Sequence, residues 1–171
     1  MITITDVERR VLINQARILA ALYPLEAKQF ENTAEILSEG YHEAWEDVVL
    51  RGLKKPLPKE EMNFIYQTLQ MYDWLQKSYY ALSLDEKLRL PERSLVFPGF
   101  DPKEEPRFFS YCGFLLENLE RFAFVETAER LIAIQPMYGV YERMLRRLPR
   151  DGSDTLSAKA LRIIISELPK I

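Results

Sequence analysis

Glu39 and His42 stand three residues apart, the spacing that sets two ligands on one face of a di-metal bundle helix. That architecture needs a second such pair, and His42 is the only histidine in the chain. Gly40 lies between the two and favours a helix end there. The expectation is a surface or interface histidine rather than a metal ligand. One cysteine and one histidine also fall short of the four ligands of a structural zinc site. Cys112 sits between Tyr111 and Gly113 on an apolar stripe, so it reads as a buried, inert thiol and not as a nucleophile, which would need a base or a lowered pKa. No nucleophile-elbow motif accompanies His42. The six glycines contain no Gly-x-x-x-x-Gly-Lys phosphate loop. No catalytic residue, metal ligand or cofactor is expected.

Two charged groups remain. Glu43, Glu46 and Asp47 could hold a divalent cation through oxygen, but a solvated acidic face explains them as well. Arg143, Arg146, Arg147 and Arg150 form a basic group that could meet an acidic partner or nucleic acid. Arginines near a helix C-terminus also oppose its dipole without any partner.

A length of 171 residues suits one domain, or one with two lobes. Hydrophobic residues make up 47 % and charged residues 29 %, as in ordinary globular proteins. The net charge of −3 lacks the basic footprint that phosphate neutralisation demands, which argues against nucleic acid. No apolar run approaches the roughly 20 residues of a membrane helix. The start, Met1–Asp6, lacks a basic stretch followed by an apolar one. A lone cysteine cannot form an internal disulfide. The expected compartment is the cytoplasm.

Apolar residues recur at helical spacing almost throughout. Thr5 and Glu8 have capping-box spacing, and the first helix runs to about Tyr23 with Val11, Ile18 and Leu22 on one face and Leu12 and Leu19 beside it. A second helix ends at Gly40. A third, short one carries Tyr41, Trp45 and Val48, and Gly52–Pro58 is a connector. The longest helix is predicted over Lys59–Leu82. It is so poor in charge, with only Asp73 and Lys77 between Met62 and Leu82, that more than one face must be covered. Phe64, Met71 and Trp74 lie outside its main stripe and are the candidate interface residues. Ser83 and Glu86 repeat the capping-box spacing.

Seven of the nine phenylalanines fall in Phe97–Phe124. Asp101, Pro102 and Glu104 predict a helix start there, continuing through Phe108, Cys112, Leu115, Leu119 and Phe122. Gly113 inside it suggests close approach of another helix. Glu126–Ala133 is compatible with a helix, though no strong signal marks one. Pro136 opens a helix burying Met137, Tyr141, Met144 and Leu148. A turn follows at Arg150–Asp154, and a last helix from Ser157 presents Leu161, Ile164, Ile165 and Leu168.

In order along the chain, several short segments resemble the YfbU family of small bacterial proteins. They are Asn14-Gln15 with Ile18-Leu19, Tyr23-Pro24, Glu39-Gly40-Tyr41, Met71-Tyr72, Phe97-x-Gly99-Phe100-Asp101 with Arg107-Phe108 and Tyr111, Gln135-Pro136-Met137 with Tyr141 and Arg143-Met144-Leu145, and Leu156-Ser157-Ala158 with Ile164-Ile165. The resemblance implies an all-helical cytoplasmic protein and carries over no catalytic residue.

The expected architecture is therefore all-α, a single domain over residues 1–171 of about seven helices, with Lys59–Leu82 and Pro102–Phe124 long and central. The expected function is a non-enzymatic interaction or regulatory protein that self-associates as a homo-oligomer, with a further protein partner and no membrane. The alternative is a small-ligand binder or enzyme with a pocket lined by aromatic residues and carboxylates. Nucleic-acid binding through Arg143–Arg150 ranks third.

Overall fold

The structure, a computed structural model, describes residues 3–129, 131–149 and 154–169. It is all-α, with eight α-helices among the described residues and only two isolated β-bridges. None of these helices is long and apolar enough to cross a membrane. The chain divides into two compact units, Met1–Pro56 and Leu57–Ile171.

The first unit is a helical hairpin closed by a short third helix. Helix α1 spans Asp6–Leu22 and starts at the predicted capping box: the Glu8 N–H donates to Thr5 and the Thr5 N–H donates to the Glu8 carboxylate. Pro24 then opens a 3-10 turn, and α2 spans Ala27–Glu39. Gly40 ends α2 with φ +74°, a left-handed turn that only glycine adopts freely. Helix α3 spans Trp45–Val49. The buried core of this unit is small: Ile13, Ala16, Ala34, Leu37 and Trp45, with Ile4, Leu12, Ile36, Val48 and Val49 packed around them. Arg9 ties it together, lying 5.9 Å over the Trp45 ring and donating to the Ser38 carbonyl.

The second unit is built on α4, Lys59–Ala81. Ile65, Leu69, Met71, Tyr72, Leu75 and Tyr79 are all buried, covering more than one side of the helix. Helices α6 (Pro106–Gly113), α7 (Tyr138–Arg146) and α8 (Ala158–Ile165) pack against it. This burial accounts for the missing charge on α4. The short α5, Leu84–Lys87, begins at the Ser83–Glu86 capping box. Ser157 caps α8.

The second central helix is shorter than the sequence suggests. Asp101 does accept N–H donation from Lys103 and Glu104, but this closes a turn and not a helix. Pro106 has no N–H to return to the Pro102 carbonyl, and its ring disfavours helical backbone at the preceding residue. Glu105 accordingly sits at φ −126°, ψ 45°, and α6 starts after it. Beyond Gly113 the backbone widens into a π-helical turn, Phe114–Asn118. Left-handed Glu120 (φ 49°) and Phe122 (φ 59°) stop it. A Cβ on Gly113 would meet nothing within 4 Å, so no helix approaches closely there.

The described part of 126–133 is not helical, contrary to the sequence reading. It runs parallel to the Phe97–Phe100 loop, with bridges Phe97–Thr127 and Phe100–Ile132. Gln76 of α4, buried, holds both segments. Its amide N–H groups donate to the Leu95 and Glu126 carbonyls, and its Oε1 accepts from the Glu126 N–H at 2.8 Å. Ser78, one helical turn away from Trp74, accepts from the Leu156 N–H and so anchors the approach to α8.

Candidate functional site

Glu39 is the last residue of α2, and the left-handed turn at Gly40 separates it from His42 in the next 3-10 turn, so the pair shares no helix face. The His42 ring stacks on Trp45 with centroids 4.0 Å apart. Glu43, Glu46 and Asp47 are exposed. Cys112 is buried, and burial pushes its thiol up to about 12. It is therefore protonated at neutral pH and a poor nucleophile.

The arginines form ion pairs within the chain. Arg143 and Arg147 both donate to the Glu167 carboxylate, at 3.2 and 2.9 Å, and Arg146 donates to Glu142 at 2.8 Å. The Arg147 hydrogen bond is the main cause holding the Glu167 carboxyl below its ordinary range. All three arginines cluster at the C-terminal end of α7, where cations oppose the helix dipole. Arg150, with the first residues of the Arg150–Asp154 turn, lies outside the described residues.

Of the candidate interface residues on α4, Met71 is fully buried in the core and offers nothing to a partner. Phe64 stacks against Tyr138 at 4.4 Å and meets Phe108 edge-on at 5.9 Å. Trp74 packs partly buried against the same core.

The aromatic loop Phe97–Phe100 is core. Both phenylalanines have 0 % exposure. They join Tyr72, Phe108 and Tyr141 in one set of ring contacts between 5.0 and 6.1 Å. Tyr141 donates its hydroxyl to the Gly99 carbonyl at 2.6 Å, and burial raises both Tyr72 and Tyr141 above the ordinary phenol range. Neither ionises at neutral pH.

Glu105 was not legible as special in the sequence. It is buried, and its carboxylate accepts from the N–H groups of Met137 (2.9 Å), Tyr138 (2.5 Å) and Asp101 (3.1 Å). It caps the start of α7, neutralises part of that helix's positive end, and welds it to the aromatic loop. Glu105→Gln turns one acceptor oxygen into a donor facing these N–H groups. The expected loss is about 1–3 kcal/mol of stability in urea unfolding; an unchanged midpoint would show that the N–H groups find other acceptors.

Large apolar side chains are exposed at several places, among them Leu84, Leu88, Phe124 and Ile134; four such side chains lie in one line on α1. Its inner face uses Ile13 and Ala16, with Leu12 partly buried. Its outer face carries Val7, Val11, Ile18 and Leu22, exposed by 74, 59, 59 and 66 %. At 100° per residue these four fall within an arc of about 60°. Leu25, just past the helix, is fully exposed. Helical spacing shows that Val11, Ile18 and Leu22 share a face, but not which of two apolar faces of α1 turns inward. Beside this line two open grooves run along the first unit. One, of about 540 Å³, is lined by Arg17, Ala21, Glu31, Glu35 and Ser38. The other, of about 370 Å³, is lined by Leu12, Gln15, Leu19, Phe30 and Val49.

Comparison with known proteins gives a consistent result. The family model for the YfbU domain matches residues 2–166, spanning both compact units. A similar protein is UPF0304 protein MJECS11 of Methanocaldococcus jannaschii, 27 % identical over 146 residues that make up 83 % of this chain and 85 % of that protein.

Proposed function

This chain belongs to the YfbU family, and on that footing we propose that it is a cytoplasmic interaction or regulatory protein that acts as a homo-oligomer. The observation that carries the reading is the outer face of α1. Four large aliphatic side chains in one line on a single helix differ from the singly scattered apolar residues of an ordinary surface, and contiguous apolar patches mark contact sites. Among its described residues the first unit also has only five buried apolar side chains, a small core for a segment of its length, so covering α1 would add to its stability as well. The buried polar groups Glu105, Gln76 and Ser78 all serve backbone N–H or C=O groups, which supports a structural use of the chain's polar inventory.

The small-ligand alternative would rest on the groove that brings Arg17 near Glu31 and Glu35. No tyrosine or tryptophan lines it, and it draws less support than α1. The arginine end of α7 ranks below both, since its charges are already paired with Glu142 and Glu167.

Light scattering on the full chain over a range of concentrations tests the reading. The expected mass is at least twice that of one protomer. A single-protomer mass up to high concentration would overturn self-association.

A further inference from the structure

We propose that α1 forms the seam of a two-fold dimer in which the α1 helices of two copies pack antiparallel, an inference that rests on the self-association reading above. The outer line of α1 has a property that a general sticky patch does not need. It is symmetric about its own midpoint. Val7 and Leu22 are equally far from the junction of Asn14 and Gln15, and so are Val11 and Ile18. A two-fold axis through that junction brings Val7 onto Leu22 of the second copy and Val11 onto Ile18 of the second copy. Such self-complementarity is what a closed two-fold interface requires.

Side-chain size selects the antiparallel arrangement. The two smaller residues, Val7 and Val11, lie in the N-terminal half, and the two larger, Ile18 and Leu22, in the C-terminal half. Antiparallel pairing sets small against large at every level, so the two helix axes stay a constant distance apart. Parallel pairing would set valine on valine at one end and leucine on leucine at the other, and the seam would splay. Opposed helix dipoles favour the antiparallel choice too. At the centre, Asn14 and Gln15 are exposed amides that would lie beside their own copies across the axis. One polar layer in an apolar seam fixes register, because any slip sets amides against aliphatic side chains.

The available area suits a dimer. The four side chains and Leu25 together expose on the order of 600 Å² per protomer, so the pair would reach about 1,200 Å², the lower end of specific interfaces, if all of it were covered.

Cysteine placement tests both partner and direction, since the one native cysteine is buried. Asn14→Cys lies beside the axis, so a short bis-maleimide linker is expected to join two protomers in high yield. Val7→Cys in the antiparallel seam is separated from its copy by about 22 Å along the axis at 1.5 Å per residue, and is expected to stay unlinked. Val11→Glu/Ile18→Glu, both exposed and so compatible with folding, is expected to raise the dimer dissociation constant at least about tenfold, with the far-ultraviolet circular dichroism unchanged. Efficient linking through both Val7→Cys and Asn14→Cys would indicate a parallel seam and overturn the proposal. A dimer that ignores Val11→Glu/Ile18→Glu and is not linked through Asn14→Cys would also overturn it, while leaving self-association standing. A monomer under all conditions would remove both.

Discussion

Gly99→Ala is expected to cost more than about 4 kcal/mol of stability, enough to prevent the protein accumulating in folded form. Two effects combine. Gly99 has φ +88°, a conformation that costs an L-residue of order 1–3 kcal/mol. A Cβ there would also lie 1.8 Å from the Leu131 carbonyl oxygen and 2.3 Å from its carbon. These are backbone atoms, so no rotamer change relieves the overlap. Leu131 itself is held left-handed, φ 51°, and the neighbouring Ala133 N–H donates to the Phe100 carbonyl. The two strands of the contact must therefore separate together, taking the Tyr141–Gly99 hydrogen bond with them. Urea unfolding followed by circular dichroism provides the measurement. A loss below about 1 kcal/mol would mean that the 126–133 segment can leave this loop at little cost.

Phe100→Ala should be the most damaging change among side-chain truncations, at about 3–5 kcal/mol. Phe100 has 0 % exposure and meets Phe97, Phe108 and Tyr141 with centroids 6.1, 5.5 and 5.3 Å away. These neighbours sit on three different elements, each fixed by other contacts: Phe108 on α6, Tyr141 on α7 through its bond to Gly99, and Phe97 through its bridge to Thr127. They cannot collapse into the vacated space, so the cavity persists and its full cost is felt. The same unfolding measurement checks it. A near-neutral result accompanied by loss of self-association would move Phe100 from the core to an interface.

The elements that the sequence announces are those whose signals are local. Thr5 and Glu8, Ser83 and Glu86, Gly40 and Ser157 each mark a helix end within one turn, and the hydrogen bonds that fix those ends involve no distant residue. The start of α6 shows how local signals can compete. Asp101-Pro102-x-Glu104 and Pro106 both read as openings, and the second prevails because Pro106 interrupts any helix begun at the first. The π-helical turn that follows α6 ends without a glycine; Glu120 and Phe122 take up left-handed backbone under tertiary constraint, which composition does not reveal. The segment Glu126–Ala133 is compatible with a helix in sequence, yet Gln76 and the Phe97 backbone claim N–H and C=O groups of Glu126 and Ala128 first. The candidate site was half legible. The shared face of Val11, Ile18 and Leu22 is visible in their spacing, whereas its outward direction depends on Ile13 and Ala16 filling the small core against Ala34 and Leu37. On α4, spacing does not reveal that α6, α7 and α8 pack on that helix within its own unit, with Met71 enclosed and Phe64 and Trp74 partly buried.

The Gln76 clamp also bears on the order in which the second unit assembles. Its three hydrogen bonds reach 19 and 50 positions along the chain. Closing the longer loop costs only about 0.9 kcal/mol more than closing the shorter one, since the entropy rises with the logarithm of length. Time, however, is sensitive to such separations, because distant contacts must find each other before they reward the chain. Helix α4 is built from local contacts, but the Gln76 amide exchanges water for its full native set of partners only when Leu95 and Glu126 are both in place. Because one side chain serves both segments, the aromatic loop and the chain beside it are coupled through Gln76, and loss of either contact leaves part of a buried amide unsatisfied.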